Sequence, residues 1–172
     1  QIAKISVVHA EAETGDLKAQ YELAFALLET KQSTEAITAF EQLAQKHPTS
    51  PLAGESLFRV GSHHEAQKKW DLAAAAYQSG LLCSKDAALR ERLYYKLGWA
   101  QYEESNFVAA AKTFQSQVKE FPKGELQLDA TYMIGESFYH QRKYPEALPL
   151  FNKVIALKPV KYHARSLYRS GD

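Results

Sequence analysis

The side chains best suited to catalysis in this chain are six histidines and a single cysteine, Cys83. His63-His64-Glu65 carries groups for acid–base or metal chemistry, but adjacent histidines point to different helix faces and the His-Glu-x-x-His spacing is absent. Cys83 has no histidine near it in sequence, which favours a buried or incidental thiol over a nucleophile. The eight glycines are isolated, so no phosphate-binding loop is predicted. The sequence therefore predicts a protein that is not an enzyme and holds no metal or cofactor.

The charges of the chain are almost balanced, with 21 Lys and Arg against 20 Asp and Glu. Nucleic-acid and anionic-membrane binders usually carry a basic excess, so we expect neither partner, and an RNA-binding helical repeat is the weakest alternative. Apolar runs are far shorter than the roughly 20 residues needed to span a bilayer, so no membrane insertion is expected. The 172 residues are 45% hydrophobic and 24% charged, which is typical of a globular chain.

The remaining candidates for recognition are aromatic side chains, and an internal repeat positions them. Small residues, alanines, aromatic residues and prolines each recur every 37 residues. The four series are Ala24, Gly61, Gly98 and Gly135; Ala36, Ala73, Ala110 and Ala147; Phe40, Tyr77, Phe114 and Phe151; and Pro48, Lys85, Pro122 and Pro159, in which Lys85 replaces the second proline.

Each period predicts a helical hairpin. Apolar residues recur at helical rather than strand spacing, and a polar turn separates the two halves of each unit. The small residue lies in the first helix, where we expect another backbone to come close. The second helix carries Ala-x-x-x-aromatic, as in Ala110 and Phe114, and we expect the ring to fill the space between neighbouring hairpins. The prolines are expected to end the second helices.

This pattern resembles the tetratricopeptide repeat family, whose signature is a Leu-Gly pair, Ala-x-x-x-Phe and then Pro. The clearest unit runs from Leu97-Gly98 through Ala110 and Phe114 to Pro122. The resemblance implies an all-α fold, an α-α superhelix in the form of a tetratricopeptide-like solenoid. The family repeat is about 34 residues long. The repeat of this chain, at 37 residues, is longer, and this longer form is similar to repeats of bacterial cell-envelope proteins, such as the Tol–Pal-associated coordinator and the outer-membrane assembly lipoprotein. The bacterial periplasm or cell envelope is thus the expected location, with the cytoplasm as the alternative.

The repeat pattern divides the chain into four complete units and two partial ones. No polar capping face is evident at either end, so we expect this chain to be a piece of a longer array. The predicted divisions are 1–16, a helix of a preceding repeat; 17–53, 54–90, 91–127 and 128–163, four repeats; and 164–172, the start of a fifth.

The resemblance also implies which residues line the concave surface of such an array. They lie three before, one after and four after the small residue of each unit. The first of these positions is aromatic in every unit, whereas the other two include Phe25, Trp99, Tyr102 and Tyr139. Tyrosine and tryptophan suit peptide recognition because they bury a large area at a low cost in rotamer entropy. The alternative is that the rings complete repeat packing, and Trp99 with Tyr102 favours the groove. The aromatic series is Tyr21, Phe58, Tyr95, Tyr132 and Tyr168.

Basic residues accompany these rings. The Lys and two Asn of the clamp with which some tetratricopeptide proteins hold acidic carboxyl-terminal peptides are absent, so chaperone-tail binding is not expected. Arg59, Arg92 and Lys96 could still meet an acidic partner through charge-assisted hydrogen bonds. The favoured alternative is that they are solvated and paired with Glu55, Glu91 or Asp129.

The predicted function is a scaffold that binds a peptide or partner domain in the concave groove. One alternative is a structural module that associates end to end through its terminal helices into homo-oligomers. Another is an accessory domain of a larger enzyme or regulator. The predicted partner-binding residues are Tyr21, Phe25, Phe58, Arg59, Arg92, Tyr95, Lys96, Trp99, Tyr102, Tyr132 and Tyr139.

Overall fold

A computed structural model describes residues 16–157, which form four helical hairpins. The predicted helix over residues 1–16, the start of a fifth repeat at 164–172 and Tyr168 lie outside the described residues, apart from Asp16. Within 16–157 every regular element is an α-helix, which confirms the predicted all-α class. The helices are α1 (Leu17–Glu29), α2 (Ser33–Lys46), α3 (Pro51–Ala66), α4 (Trp70–Cys83), α5 (Ala87–Glu103), α6 (Phe107–Glu120), α7 (Gln127–His140) and α8 (Tyr144–Ala156).

Local sequence signals explain where several helices begin and end. The Asp16 side chain accepts a hydrogen bond from the Lys18 N–H at 2.9 Å and caps α1. Ser50 caps α3 through the Leu52 N–H, directly before a proline at the first helical position. The helices α2 and α6 end two residues before Pro48 and Pro122, as the prolines predict.

The turn inside every hairpin has a residue in the left-handed conformation at the same position, so these residues recur every 37 residues. Their φ angles lie between 57° and 64° although none is glycine. In the third hairpin the Ser105 N–H donates to the Tyr102 carbonyl and the Asn106 N–H donates to the Gln101 carbonyl, both at 2.9 Å. This pair of bonds closes the helix in the manner of a Schellman motif. The four residues are Lys31, Lys68, Ser105 and Arg142.

The repeated small residue and the repeated ring pack against each other inside one hairpin. A Cβ placed on Gly98 would lie 2.7 Å from Cζ of Phe114, and one on Gly135 would lie 2.7 Å from Cε1 of Phe151. Both rings are fully buried. The expectation that the glycine admits a neighbouring backbone was therefore wrong at these positions. The ring covers the glycine of its own hairpin, and the Phe114 ring also shares a buried core with Ala130 and Ile134 of the next hairpin, which agrees with the expected packing between hairpins.

The chain divides into two compact units between Leu93 and Tyr94, within α5. In the first unit, α1 to α4 pack in chain order, and in the second α6 packs on α7 and α7 on α8. Each unit thus builds its core from helices that are neighbours in sequence, as the short connections require.

Candidate partner-binding surfaces

The predicted aromatic series packs within the hairpins. Each ring lies against the second-helix ring that follows it by 19 residues, as Tyr95 does against Phe114 at 5.7 Å between centroids. The corresponding distances in the other hairpins are 5.4, 5.9 and 5.8 Å. Phe58 and Tyr132 are only 6% and 4% exposed, whereas Tyr21 and Tyr95 keep part of their surface accessible. Among the four described members of the series, Tyr21 and Tyr95 are therefore the ones that a partner could reach.

The hydroxyl groups of these two tyrosines remain protonated at neutral pH. Burial raises the pKa of Tyr95 to about 12, and the nearby Asp129 carboxylate adds to the increase. Burial likewise raises the pKa of Tyr21, although a hydrogen bond with Arg59 acts in the opposite direction. Both phenols can thus donate a hydrogen bond to a carbonyl or carboxylate.

An aromatic and arginine surface lies on the first helices of the first unit. The Arg59 guanidinium carbon lies 5.3 Å from the centroid of Phe25, which is 36% exposed. The same guanidinium pairs with Glu55 at 2.8 Å, so its charge is largely neutralised within α3. We call this set, Tyr21, Phe25, Phe58, Arg59 and Arg92, the N-terminal surface.

Arg92 has a different environment from Arg59. Its guanidinium carbon lies 4.2 Å from the centroid of the Phe58 ring, and the side chain is exposed. None of the described residues forms an ion pair or hydrogen bond with this guanidinium. Lys96 follows four residues later in α5 and is partly exposed.

The second unit carries a continuous cluster of rings. Trp99 stacks on Tyr102 with centroids 6.1 Å apart and planes at 28°. Tyr102 contacts His140 edge to face at 5.6 Å, and His140 contacts Tyr139 at 6.0 Å. His140 also stacks on Phe107 at 4.6 Å, and Tyr139 reaches Tyr144 at 5.3 Å. We call Trp99, Tyr102, Phe107, Tyr139, His140 and Tyr144 the C-terminal aromatic cluster.

Three members of this cluster were not predicted from the sequence. Phe107 and Tyr144 occupy the first position of α6 and α8, and Trp70 stands at the same register position in α4. This recurrence every 37 residues was the signal that could have identified Phe107 and Tyr144, whereas no such signal points to His140. The Gln141 side chain donates to the Phe107 carbonyl at 3.1 Å and ties the start of α6 to the end of α7. That link helps to bring His140 onto the Phe107 ring.

The two adjacent histidines of α3 have different surroundings. His63 contacts the Gln67 side chain at 2.8 Å, whereas Nδ1 of His64 is buried without a hydrogen-bond partner. Burial lowers the pKa of His64, and the neighbouring His63 lowers it further. Throughout residues 16–157, no three His, Cys, Asp or Glu side chains come together as metal ligands would. In the same part of the chain, no helix combines the length and apolar composition that crossing a membrane requires.

Two segments, residues 21–88 and 95–161, match a family model described as a tetratricopeptide repeat. Together they cover most of the chain. A comparison with curated protein sequences found no significant match.

Solved structures of helical-repeat proteins are similar to this chain in fold and distant in sequence. YrrB, described as a TPR protein with an unusual peptide-binding site, is 17% identical with a TM-score of 0.72, over 94% of this chain and 77% of YrrB. MamA is 17% identical with a TM-score of 0.69, over 94% of this chain and 83% of MamA. The apo form of RapI is 15% identical with a TM-score of 0.74, but this chain spans only 52% of it. These likenesses confirm the predicted tetratricopeptide-like fold.

Proposed function

Because the chain belongs to the tetratricopeptide repeat family, whose repeats serve as scaffolds for protein–protein interaction, we propose that it binds a peptide segment of a partner protein. The segment would lie along the exposed rings of the second unit, on α5 and α7. The observation that carries this proposal is the Trp99–Tyr102 stack, which continues through His140 to Tyr139.

The exposure of these rings supports a role beyond packing. The rings that hold the hairpins together, such as Phe114 and Phe151, have no exposed surface. Trp99, Tyr102 and Tyr139 retain accessible area although they lie beside that core. Large rings that are accessible yet held in place by stacking can bury apolar area on binding with little loss of rotamer freedom.

The ligand class has further support in two features. Extended peptides present carbonyl groups, and the partly exposed phenol of Tyr95 can donate a hydrogen bond to one of them. YrrB, a protein of similar fold, is described as having a peptide-binding site, and a peptide is the ligand class proposed for this chain. The bacterial cell-envelope location and end-to-end association stay predictions.

Selection from a phage-displayed library of random dodecapeptides tests the proposal. Selected peptides would be synthesised with a fluorophore, and their dissociation constants measured by polarisation. We expect the Trp99→Ala/Tyr102→Ala double variant to weaken binding by about 30-fold or more, as loss of a central aromatic anchor does. Leu82→Ala is a matched control because it also removes an exposed apolar side chain, 81% accessible, that lies outside the cluster.

Thermal unfolding of the same variants separates recognition from packing. If the double variant unfolds at nearly the wild-type temperature and fails to bind, the rings serve recognition. A fall in the midpoint of ten degrees or so, or equal binding by both variants, would contradict the proposal.

A further inference from the structure

The first two repeats neutralise the charges on the exposed side of their first helices. Lys18 and Glu22 pair in α1 at 3.8 Å, and Glu55 and Arg59 pair in α3 at 2.8 Å. The members of each pair are four residues apart. The second pair lies 37 residues after the first, at the same two positions of the repeat. One acidic and one basic residue at this spacing stabilise a helix.

The third repeat breaks this rule. Its two register positions hold Arg92 and Lys96, so both members of the pair are cations. Like charges at this spacing are mildly unfavourable, and helix α5 therefore gains nothing from them on its own. The residue one turn before Arg92 is Ala88, which cannot neutralise it either.

The Phe58 ring fixes the Arg92 guanidinium although no acid does. The separation of 4.2 Å from Cζ to the ring centroid is shorter than the 5.3 Å between Arg59 and Phe25. The ring attracts the guanidinium charge, and the planar fork of N–H donors has no hydrogen-bond partner among the described residues. Such a fork matches the two oxygens of a carboxylate. Phe58 is itself buried against Tyr77, so the ring is a rigid support.

We propose that the peptide bound by this protein carries an aspartate or glutamate whose side-chain carboxylate pairs with Arg92. This inference rests on the proposed peptide-binding function and specifies the chemistry of its ligand. Two cations one helical turn apart suit a single carboxylate better than a nucleic acid, which would require several phosphate contacts. The formal net charge of +1 for the whole chain is consistent with a local site of this kind.

The test uses an acidic peptide from the dodecapeptide selection, resynthesised with an acetylated amino terminus and an amidated carboxyl terminus. Blocking both ends leaves side-chain carboxylates as the acidic groups. A second peptide replaces the selected Glu or Asp by Gln or Asn. Each peptide is titrated against wild type, Arg92→Gln, Arg92→Lys and Lys112→Gln. The last variant removes one charge from an exposed position of a second helix and is the matched control.

We expect Arg92→Gln to weaken binding of the acidic peptide about 10-fold or more, the usual effect of losing a hydrogen-bonded charge pair. The amide peptide should lose a similar factor against wild type, and should bind Arg92→Gln and wild type within about twofold of each other. Arg92→Lys should restore only part of the loss because an ammonium lacks the planar fork. Lys112→Gln should change neither affinity by more than about twofold, because exposed charges far from a ligand are screened.

Several results would overturn the inference alone. These are selected peptides without an acidic residue, equal effects of Arg92→Gln and Lys112→Gln, or additive losses from the protein and peptide changes. Binding that requires a free carboxyl terminus would instead assign the site to a terminal carboxylate. If the library yields no binding peptide, the proposed function fails as well, and the two failures are thereby distinguished. Thermal unfolding of Arg92→Gln near the wild-type temperature shows that the fold is retained.

Discussion

Replacing Gly98 by alanine tests the packing that builds every hairpin. The new Cβ would lie 2.7 Å from Cζ and 2.8 Å from Cε1 of Phe114, whereas ordinary contact begins at 3.4 Å. The ring cannot move freely because Phe114 is fully buried, so the added methyl group must displace it or the helix. Overpacking of this kind costs about 1–3 kcal/mol of unfolding free energy.

Helix propensity acts in the opposite direction at the same site. Alanine is favoured over glycine in a helix by about 1 kcal/mol. The single Gly98→Ala change therefore combines a steric loss with a conformational gain, and its net effect is a destabilisation of up to about 2 kcal/mol. A double-mutant cycle removes the propensity term and isolates the steric one.

Phe114→Leu provides the second arm of this cycle, because leucine lacks the three ring atoms nearest to the new Cβ. In that background Gly98→Ala should stabilise the protein by about 1 kcal/mol, so its sign reverses. Urea unfolding followed by circular dichroism would give the four free energies. We expect a coupling energy of about 1–3 kcal/mol.

The first repeat supplies the control for the propensity term. Ala24 occupies the register position of Gly98, and both Ala24 and its core neighbour Phe40 are fully buried. Ala24→Gly should cost about 1–2 kcal/mol, the propensity difference plus the loss of a buried methyl group, without any relief of crowding. A coupling energy below about 0.5 kcal/mol between positions 98 and 114 would refute the steric account.

Two further changes are expected to raise stability. Ser105→Gly should gain about 0.5–1 kcal/mol in urea unfolding, because the left-handed φ of 62° costs serine more than glycine loses in entropy. Ser116→Gly within the same hairpin should lose stability, and equal effects of the two changes would count against this reasoning. Gln117→Leu should raise the thermal midpoint by several degrees, corresponding to about 1–3 kcal/mol, because the Gln117 amide is fully buried without a protein hydrogen-bond partner. Leu43 fills the same register position in the first repeat, and a lower midpoint for Gln117→Leu would mean that the amide is satisfied.

The fold was predictable because a small residue, an alanine and an aromatic ring recur at the same spacing in all four repeats. Helix caps and prolines act over a few residues, and the 37-residue spacing marks each new hairpin, so the sequence displays these signals directly. The contact made by Gly98 was not predictable in the same way. A missing side chain indicates that space is occupied but does not identify the group that occupies it, and here that group is the Phe114 ring.

The accessibility of the predicted site residues depends on packing that the register does not encode. Tyr95 and Tyr132 occupy equivalent positions, yet Tyr132 is buried and Tyr95 is partly exposed. One ion pair was easier to predict from the sequence than these exposures. Glu55 precedes Arg59 by one helical turn, and the two pair as this spacing predicts. The expected pairing of Arg92 with an acid was wrong for the described residues, and the same rule explains why, since no acid stands one turn from Arg92 on either side.

Departures from the repeat pattern fall into two kinds, and the difference bears on where a partner binds. Tyr77 is the only ring of its series with a hydroxyl group, and that hydroxyl donates to the Glu65 carboxylate at 2.5 Å. The hydroxyl group of Tyr77 finds its partner inside the same hairpin, so this departure from the pattern serves the fold. Arg92 departs from the pattern without any compensating residue in the described part of the chain, although Phe58 holds its guanidinium in place. An oriented charge that no neighbouring side chain neutralises is useful to a protein when a ligand supplies the opposite charge.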